Sequence, residues 1–325
     1  MKKYLLLLLC IPLLVTGCKK VPKLDNGQEV VVELNGKQYT ANELFDALKE
    51  DYGTSVLINL VDKYITQSEM TEDEKKDAEA KAKAEYDSIY ATYQKEWDDF
   101  LAYYGFLNGD EVLEQLRANY EQNIVLEKYI KSDVIKEEDI KKYYDEDIYG
   151  EITARHILIE AEVTSDMTDE EKKEAENKAL EEAKELINQL NGVENLEEKF
   201  IELAKEKSDD TGSASEGGLI ENFTNETGLV EEFWEASLEL EVGKMTAEPV
   251  KTEFGYHIIY KVKQNEKPAM DTVLDRIKDN LVDEILSEED ATYIYWSGLR
   301  EKYNMTIHDD ILKNNYDATM NNLKK

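Results

Sequence analysis

Apolar and polar positions along the chain change rhythm several times. Over residues 29–40, Val30, Val32 and Leu34 alternate with other residues, and Asn35-Gly36 follows. Asn-Gly suits a two-residue turn in which both residues take positive φ, so this stretch predicts a β-hairpin. From Thr40 the spacing becomes helical: Leu44, Leu48, Val56, Leu57, Leu60, Val61, Tyr64 and Ile65 recur at steps of three and four. Thr71-Glu72-Asp73-Glu74 has the form of a capping box and opens a charged helix running toward Trp97. Residues 100–106, broken at Gly105, read as a loop or short helix. Residues 111–131 predict an amphipathic helix with Val112, Leu116, Tyr120, Ile124 and Tyr129 as its buried stripe. A short helix over 138–144 leads to a turn at Gly150.

Beyond residue 151, short β-rich runs bracket helices. Strands are expected over 153–160, 248–252 and 255–263, and helices over 169–190, 196–207 and 231–240; the first of these helices opens on a second capping box, Thr168-Asp169-Glu170-Glu171. After Pro268 the chain is helical again. Met270, Val273, Leu274, Ile277, Leu281 and Ile285 form one stripe, and residues 294–303 carry a second helix. A short tail cannot bury such a stripe alone, so residues 266–325 are expected to pack on the helices of residues 29–150. One domain would then be assembled from two segments, with residues 151–265 inserted between them.

The N-terminus has a different character. Lys2 and Lys3 precede an apolar run over residues 4–15, which ends in Val15-Thr16-Gly17-Cys18. The run is too short to span a bilayer comfortably and has the length of a signal-peptide core. Small residues before a cysteine resemble the lipobox of bacterial lipoproteins. That resemblance implies removal of residues 1–17, acylation of Cys18, a linker over 18–28, and a protein held by lipid at the extracytoplasmic face of the cell membrane. An ordinary signal peptide with an incidental cysteine is the alternative. Lys19, Lys20 and Lys23 suit an anionic lipid surface.

Composition narrows the function classes. There are 73 acidic and 39 basic side chains, a formal charge of −34, so a phosphate backbone would be repelled and no nucleic-acid partner is expected. Removing residues 1–17 deletes two lysines and no acid, which takes 39 − 73 to 37 − 73 = −36. Both cysteines, Cys10 and Cys18, lie in the leader region, which leaves no disulfide framework in the body of the chain. Of the 20 tyrosines, 12 fall between residues 50 and 150. They read as core or boundary residues of a helical domain, and collectively as broad contact area for loose recognition of unfolded chains.

Three stretches hold the candidate chemistry. Ala154-Arg155-His156-Ile157-Leu158-Ile159 is a strand on which His156 faces away from Ile157 and Ile159. Residues 208–218, Ser-Asp-Asp-Thr-Gly-Ser-Ala-Ser-Glu-Gly-Gly, form a polar loop after a helix. Thr252-Glu253-Phe254-Gly255-Tyr256-His257-Ile258-Ile259 turns into a strand with a second histidine. Read alone, His156 could be a satisfied buried histidine, and the two histidines with Asp210 could bind zinc, although no fourth ligand is evident. His308 lies in a polar segment and reads as a surface residue. No Gly-x-Ser-x-Gly elbow accompanies Ser213 or Ser215.

In order and spacing these stretches resemble parvulin-type peptidyl-prolyl isomerases. Together with the lipobox and the split helical segments, they are similar to PrsA-type foldase lipoproteins. The resemblance implies an α+β fold: a parvulin-like domain, a small antiparallel sheet with helices, inserted in a mainly helical chaperone domain. It implies catalysis of X-Pro isomerisation in unfolded or partly folded secreted polypeptides, without metal or cofactor. His156 and His257 would be the paired histidines, Asp210 the acidic partner, and Thr252 the hydroxyl bonded to the pair. Leu229 and Phe233 would cradle the prolyl ring, with Ile220 beside them and Phe223 closing the side. One departure stands out: Leu219 and Glu221 occupy positions where the family has aspartate and glycine. A non-catalytic holdase with a degenerate parvulin domain is therefore the competing expectation. A third, a solute-binding lipoprotein, is disfavoured because no alternating two-lobe α/β pattern appears. Association into a homodimer is left open.

Overall fold

The computed structural model describes residues 22–164 and 166–323. The leader, with Cys10 and Cys18, lies outside the described residues. Two compact units divide the chain. One contains residues up to Val134 together with Val282 onward; the other is Ile135–Leu281.

The first unit opens with the hairpin β1 (Val30–Leu34) and β2 (Lys37–Thr40), paired antiparallel. Asn35 (φ 50°) and Gly36 (φ 81°) supply the positive angles that its turn demands. The alternation that marks the strand does not mark a buried face: Val30 is buried, while Val32 and Leu34 are exposed. Thr40 then starts α1 (Ala41–Glu69), its side chain accepting from Glu43 N while the Glu43 carboxylate accepts from Thr40 N. Thr71 does the same for α2 (Glu72–Tyr93) through Glu74. The charged helix stops at Tyr93 rather than reaching Trp97, where a separate helix α3 (Trp97–Tyr104) begins; Gly105 ends it at φ 78°. Helix α4 (Gly109–Tyr129) continues into a π-helical turn, Ile130–Val134.

Val112, Val125, Leu126 and Ile130 are buried on this α4 segment, whereas Leu116, Tyr120, Ile124 and Tyr129 are half-buried. The expected stripe drifts for a geometric reason. Each step of four residues overshoots a full turn by about 40°, so a line of such steps swings around the helix. Helices α10 (Ala291–Lys302) and α11 (Asp310–Leu323) complete the unit. Arg300 on α10 grips Asp62 on α1 with two bonds of 2.7 Å, both residues being buried. Lys302 on α10 also pairs with Asp133 at 2.9 Å.

The second unit is α+β. It holds α5 (Glu137–Asp147), β3 (Ile152–Ile159), α6 (Asp169–Leu190), α7 (Leu196–Lys207), β4 (Leu219–Phe223), α8 (Glu231–Glu239), β5 (Val250–Thr252) and β6 (Gly255–Gln264). The sheet is antiparallel throughout, in the order β4-β3-β6-β5. Strand alternation sorts its side chains onto two faces. Ile157, Ile159, Ile258 and Tyr260 pack with Ala183, Leu186 and Leu190 of α6 and Phe200 of α7. Ile152, Ala154 and Ile259 pack with Phe233 and Trp234 of α8. Helix α9 (Met270–Ser287) begins in this unit and crosses the limit between the two.

The domain limits expected from the sequence need correction here. The compact unit is wider than residues 151–265, because α5 and the start of α9 belong to it. Val273 and Ile277 pack on Ile148, Ile140, Tyr143 and Tyr144 at and beside α5. The Tyr144 hydroxyl also donates to the carbonyl of Pro268 at 2.8 Å, which sets the register of this contact. The apolar positions of α5 and the first turns of α9 thus cover each other. Among the described residues, no helix is long and apolar enough to cross a membrane.

Candidate active site

His156 lies on β3 and His257 on β6, adjacent central strands of the sheet. Both point to the face that α8 covers, the one shared by Ile152, Ala154 and Ile259. Their rings stack at 5.4 Å between centroids, with an interplanar angle of 19°, and each residue is only 5% exposed. His156 Nδ1 and His257 Nδ1 are 3.1 Å apart. At one end of the pair, His156 Nε2 lies 2.8 Å from Asp210 Oδ2 and 3.0 Å from Ser213 Oγ. At the other, the Thr252 hydroxyl lies 2.9 Å from His257 Nε2.

The direction of the protons follows from electrostatics. Burial works against ionised Asp210, but bonds from Ser213, His156 and the Gly212 amide outweigh it and hold the carboxyl below its ordinary range. Burial also lowers His156, and burial together with His156 brings His257 down to about 4. At neutral pH both imidazoles are therefore neutral and Asp210 is charged. One assignment satisfies every atom: Thr252 O–H donates to His257 Nε2, His257 Nδ1–H to His156 Nδ1, and His156 Nε2–H to Asp210.

The loop before β4 is held from several sides. Asp209 N donates to the Leu158 carbonyl at 2.8 Å, and the Asp209 carboxylate accepts from Glu160 N at 2.9 Å. Ser208 Oγ accepts from Leu158 N, and Gly212 N donates back to Asp210 Oδ1. Arg155 Nη1 donates to the carbonyls of Glu216 and Gly217, while its Nε donates to Glu197 at 3.1 Å. Gly218 then passes directly under β3 at φ 69°, and a Cβ there would lie 1.9 Å from the His156 carbonyl oxygen. This close approach lets His156 N donate to Gly218 O at 2.8 Å.

The four residues expected to touch a prolyl ring gather in one apolar cluster beside the histidines. Phe233 stands edge-on to both imidazoles, at 5.4 Å from His156 and 5.3 Å from His257. Phe223 packs against it at 6.0 Å, with Ile220 and Leu229 alongside. Phe223 and Phe233 are already 2% and 3% exposed, so Ile220 and Leu229, both half-buried, carry most of what a substrate could touch. The departure at Leu219 and Glu221 is accommodated locally. Leu219 pairs with Arg155 and Ile220 with Ala154, and the left-handed backbone angle falls one residue later, on Asn222 at φ 53°. Asparagine tolerates that region better than most residues.

Two positions at the site were not assigned from the sequence. Ser213, 8% exposed, donates to Asp210 and lies against His156. Its signal is the spacing of three from Asp210 within a Gly-containing turn, legible only once the turn is known. The second is Lys261, which is 1% exposed and donates to the carbonyls of Leu238 (3.1 Å) and Leu240 (2.7 Å) at the C-terminal end of α8. It therefore fixes the helix that carries Phe233. His308, expected at the surface, is exposed and belongs to the first unit.

The family model for the PPIC-type PPIASE domain matches residues 138–266. A foldase protein PrsA from Geobacillus kaustophilus is 30% identical over 280 residues, covering 85% of this chain and 84% of that protein. Foldase protein PrsA 3 from Bacillus cereus is 30% identical over 319 residues, covering 96% and 91%. Among solved structures, a foldase protein PrsA from Streptococcus pneumoniae aligns with a TM-score of 0.56 at 17% identity, over 88% of this chain and 98% of that one.

Proposed function

The chain belongs to the PrsA family of foldases and carries a parvulin-type peptidyl-prolyl isomerase domain, and from that premise we propose that it catalyses cis/trans isomerisation of X-Pro bonds in unfolded or partly folded secreted polypeptides. The observation that carries this reading is the buried chain Thr252–His257–His156–Asp210 beside the Ile220, Leu229 and Phe233 cluster.

Rotation about a peptide bond is resisted by about 18–20 kcal/mol, because the C–N bond is partly double. Catalysis requires a site that favours the twisted amide over the planar one. No bond is made or broken and no proton must move. Ile220 and Leu229 offer an apolar seat for the ring. Asp210 is half-buried at the mouth of the network and carries its negative charge next to that seat. A twisted amide no longer shares its nitrogen lone pair with the carbonyl, so a fixed local field can act differently on it than on the planar form. Ser213, the histidine pair and Thr252 hold the carboxylate in place.

The N-terminal pattern supports an activity outside the cytoplasmic membrane, anchored through an acylated Cys18, with the helical unit acting as a chaperone. A second reading, a non-catalytic holdase, draws support from the burial of Phe223 and Phe233, which leaves little of either ring for a substrate. Isomerisation of an Ala-Pro or Lys-Pro peptide by the chain from residue 19 separates the two. Rates above the uncatalysed exchange, lowered about 10- to 100-fold by Asp210→Ala, are expected, the range corresponding to loss of a charged hydrogen-bonding group. A wild type no faster than uncatalysed exchange would leave the holdase reading.

A further inference from the structure

The turn that joins β4 to α8 runs from Thr224 to Gly228 and links Phe223 to Leu229, two members of the apolar cluster beside the histidines. Glu226 stands in this turn, and α9 takes hold of its carboxylate: Arg276 Nη1 donates to Oε2, and Asn280 Nδ2 donates to Oε1 at 2.8 Å. We propose that Arg276 and Asn280 are positioning residues of the isomerase site, which seat Leu229 against the prolyl ring by fastening Glu226. The proposal rests on the isomerase reading and deepens it. It assigns part of the substrate site to residues beyond 138–266, the span that the PPIC-type family model matches.

The turn is bonded tightly enough to transmit that hold. The Thr227 hydroxyl donates to the Thr224 carbonyl at 2.7 Å and accepts from Thr224 N, and Thr227 N donates to the same carbonyl. Glu226 N donates to the Thr224 hydroxyl at 3.2 Å. Short-range bonds of this kind between threonine hydroxyls and backbone take the place of regular structure. Gly228, at φ 77°, then turns the chain into Leu229 and Val230, and the Val230 carbonyl accepts from Phe233 N and Trp234 N at the start of α8. Glu226 is therefore three residues from Leu229 through a bonded turn. A second bond fixes the same turn from the end of α5, where Asn225 Nδ2 donates to the Asp147 carbonyl at 3.0 Å.

The α9 side of the hold is fixed as well. Arg276 and Asn280 are four residues apart and share a helix face. Asn280 Nδ2 donates to the Tyr143 hydroxyl at 2.8 Å as well as to Glu226, which uses both hydrogens of its amide. Tyr143 and Ile277 belong to the apolar contact between α5 and α9, and all of these residues lie within Ile135–Leu281. Stability alone does not account for the arrangement. The Glu226 and Arg276 side chains are 28% and 42% exposed, and an ion pair so open to water adds little to folding. Its effect is on where the turn sits. Phe223 is placed by its burial and its pairing with Ile152, whereas Leu229, half-buried at the far end of the turn, is placed by the turn. A contact to the prolyl ring is the same for the planar and the twisted amide, so the hold acts on KM rather than kcat.

The test uses the chain from residue 19 and an Ala-Pro peptide, with kcat and KM measured separately. Glu226→Ala is expected to raise KM about 3- to 10-fold, as the seated turn becomes less populated, with kcat changed less than about twofold. Glu226→Arg and Arg276→Glu each set like charges against each other and should raise KM at least as much. The double variant restores the pair and should return KM to within about twofold of the wild type. Amide hydrogen exchange over residues 224–230 reads the hold without catalysis, and should be faster in Glu226→Ala at an unchanged unfolding midpoint. Unchanged KM in the single variants, or no recovery in the double one, would overturn the proposal. A midpoint and kcat that fall along with the rise in KM would do so too, because a merely damaged fold acts on all three. Equal hydrogen exchange in wild type and variant would overturn the hold and leave the isomerase reading intact. A wild type no faster than uncatalysed isomerisation would overturn that reading and the substrate role of the hold with it.

Discussion

The Nδ1 atoms of His156 and His257 are 3.1 Å apart and face each other across two central strands, so one must carry a proton and the other must not. Protonating both would place two like charges at that distance inside an apolar cluster. The pair is therefore stable only while at least one ring is neutral, and that condition sets a pH dependence.

Stability should fall on acidification. His257 is held down to about 4 in the folded chain by burial and by His156, against about 6.5 when unfolded. Between those values the unfolded chain binds more protons, so unfolding becomes easier as pH drops from about 6.5 toward 4, by about 3 kcal/mol for this one group. Asp210 acts in the same direction, because a lowered carboxyl loses its contribution as pH falls through its folded value. Urea unfolding of the wild type and His257→Asn between pH 7 and 4.5 checks this. The variant should start less stable and show a shallower decline; parallel curves would refute the assignment.

Phe233→Ala should act first on folding and only then on substrate. The ring is 3% exposed and packs on Phe223 and both histidines, so its removal leaves a cavity rather than an open pocket. A loss of about 3–5 kcal/mol is expected, measured by chemical denaturation. Leu229→Ala, at a half-buried position, should cost less stability and raise KM more.

Gly218→Ala should be more damaging than its single methyl suggests. The residue sits at φ 69°, and the added carbon would overlap the His156 carbonyl, which is backbone and cannot swing aside. Isomerase activity and the unfolding midpoint should both drop sharply. At Asn222, also left-handed, glycine removes strain instead, and Asn222→Gly should match or exceed the wild type in stability by up to about 1 kcal/mol.

Lys261→Met keeps the buried volume but removes the donor to Leu238 O and Leu240 O. Two carbonyls at the end of α8 would lose their partner, at a cost of about 1–3 kcal/mol. Isomerase activity should fall although residue 261 belongs to neither the histidine network nor the apolar cluster, because α8 positions Phe233. Full activity in a stably folded variant would show that α8 needs no such tether.

Detergent partitioning of the wild type and Cys18→Ser tests the anchor. The wild type is expected in the detergent phase and the variant in the aqueous phase. Equal partitioning would rule out acylation at Cys18.

Features governed by local rules were legible in the sequence. The capping boxes at Thr40, Thr71 and Thr168 act within three residues, and the first and last central strands announce themselves by His156 and His257 among β-branched neighbours. The Thr40 box is the exception: its sequence signal is the onset of helical spacing alone, although Glu43 completes the box. Features set by distant partners were not legible. Strand β4 is five residues with Glu221-Asn222 in its middle, and only its pairing with β3 makes it a strand. Helix α11 is rich in asparagine, and its stripe of Leu312, Tyr316, Met320 and Leu323 is only one apolar residue per turn, a face that packing rather than composition reveals. The cover of α9 by α5 depends on a Tyr144–Pro268 bond that spans 124 positions. At the site, the histidines and Asp210 stood out by residue type, whereas Ser213 and Lys261 act through loop and helix geometry that residue type does not reveal.

Asp62 and Arg300, joined in the helical unit, are 238 positions apart, while the unit that carries the histidines lies wholly between them. Chains are made and delivered N-terminus first. The intervening unit can therefore close on its own short-range partners while α1 still lacks the guanidinium that its buried carboxylate requires. Contacts of such high contact order form late, because a long loop must close before they repay its entropy. The order of birth is thus written into the topology: the catalytic part matures first, and the later segment from residue 282 onward decides when the helical part can lock.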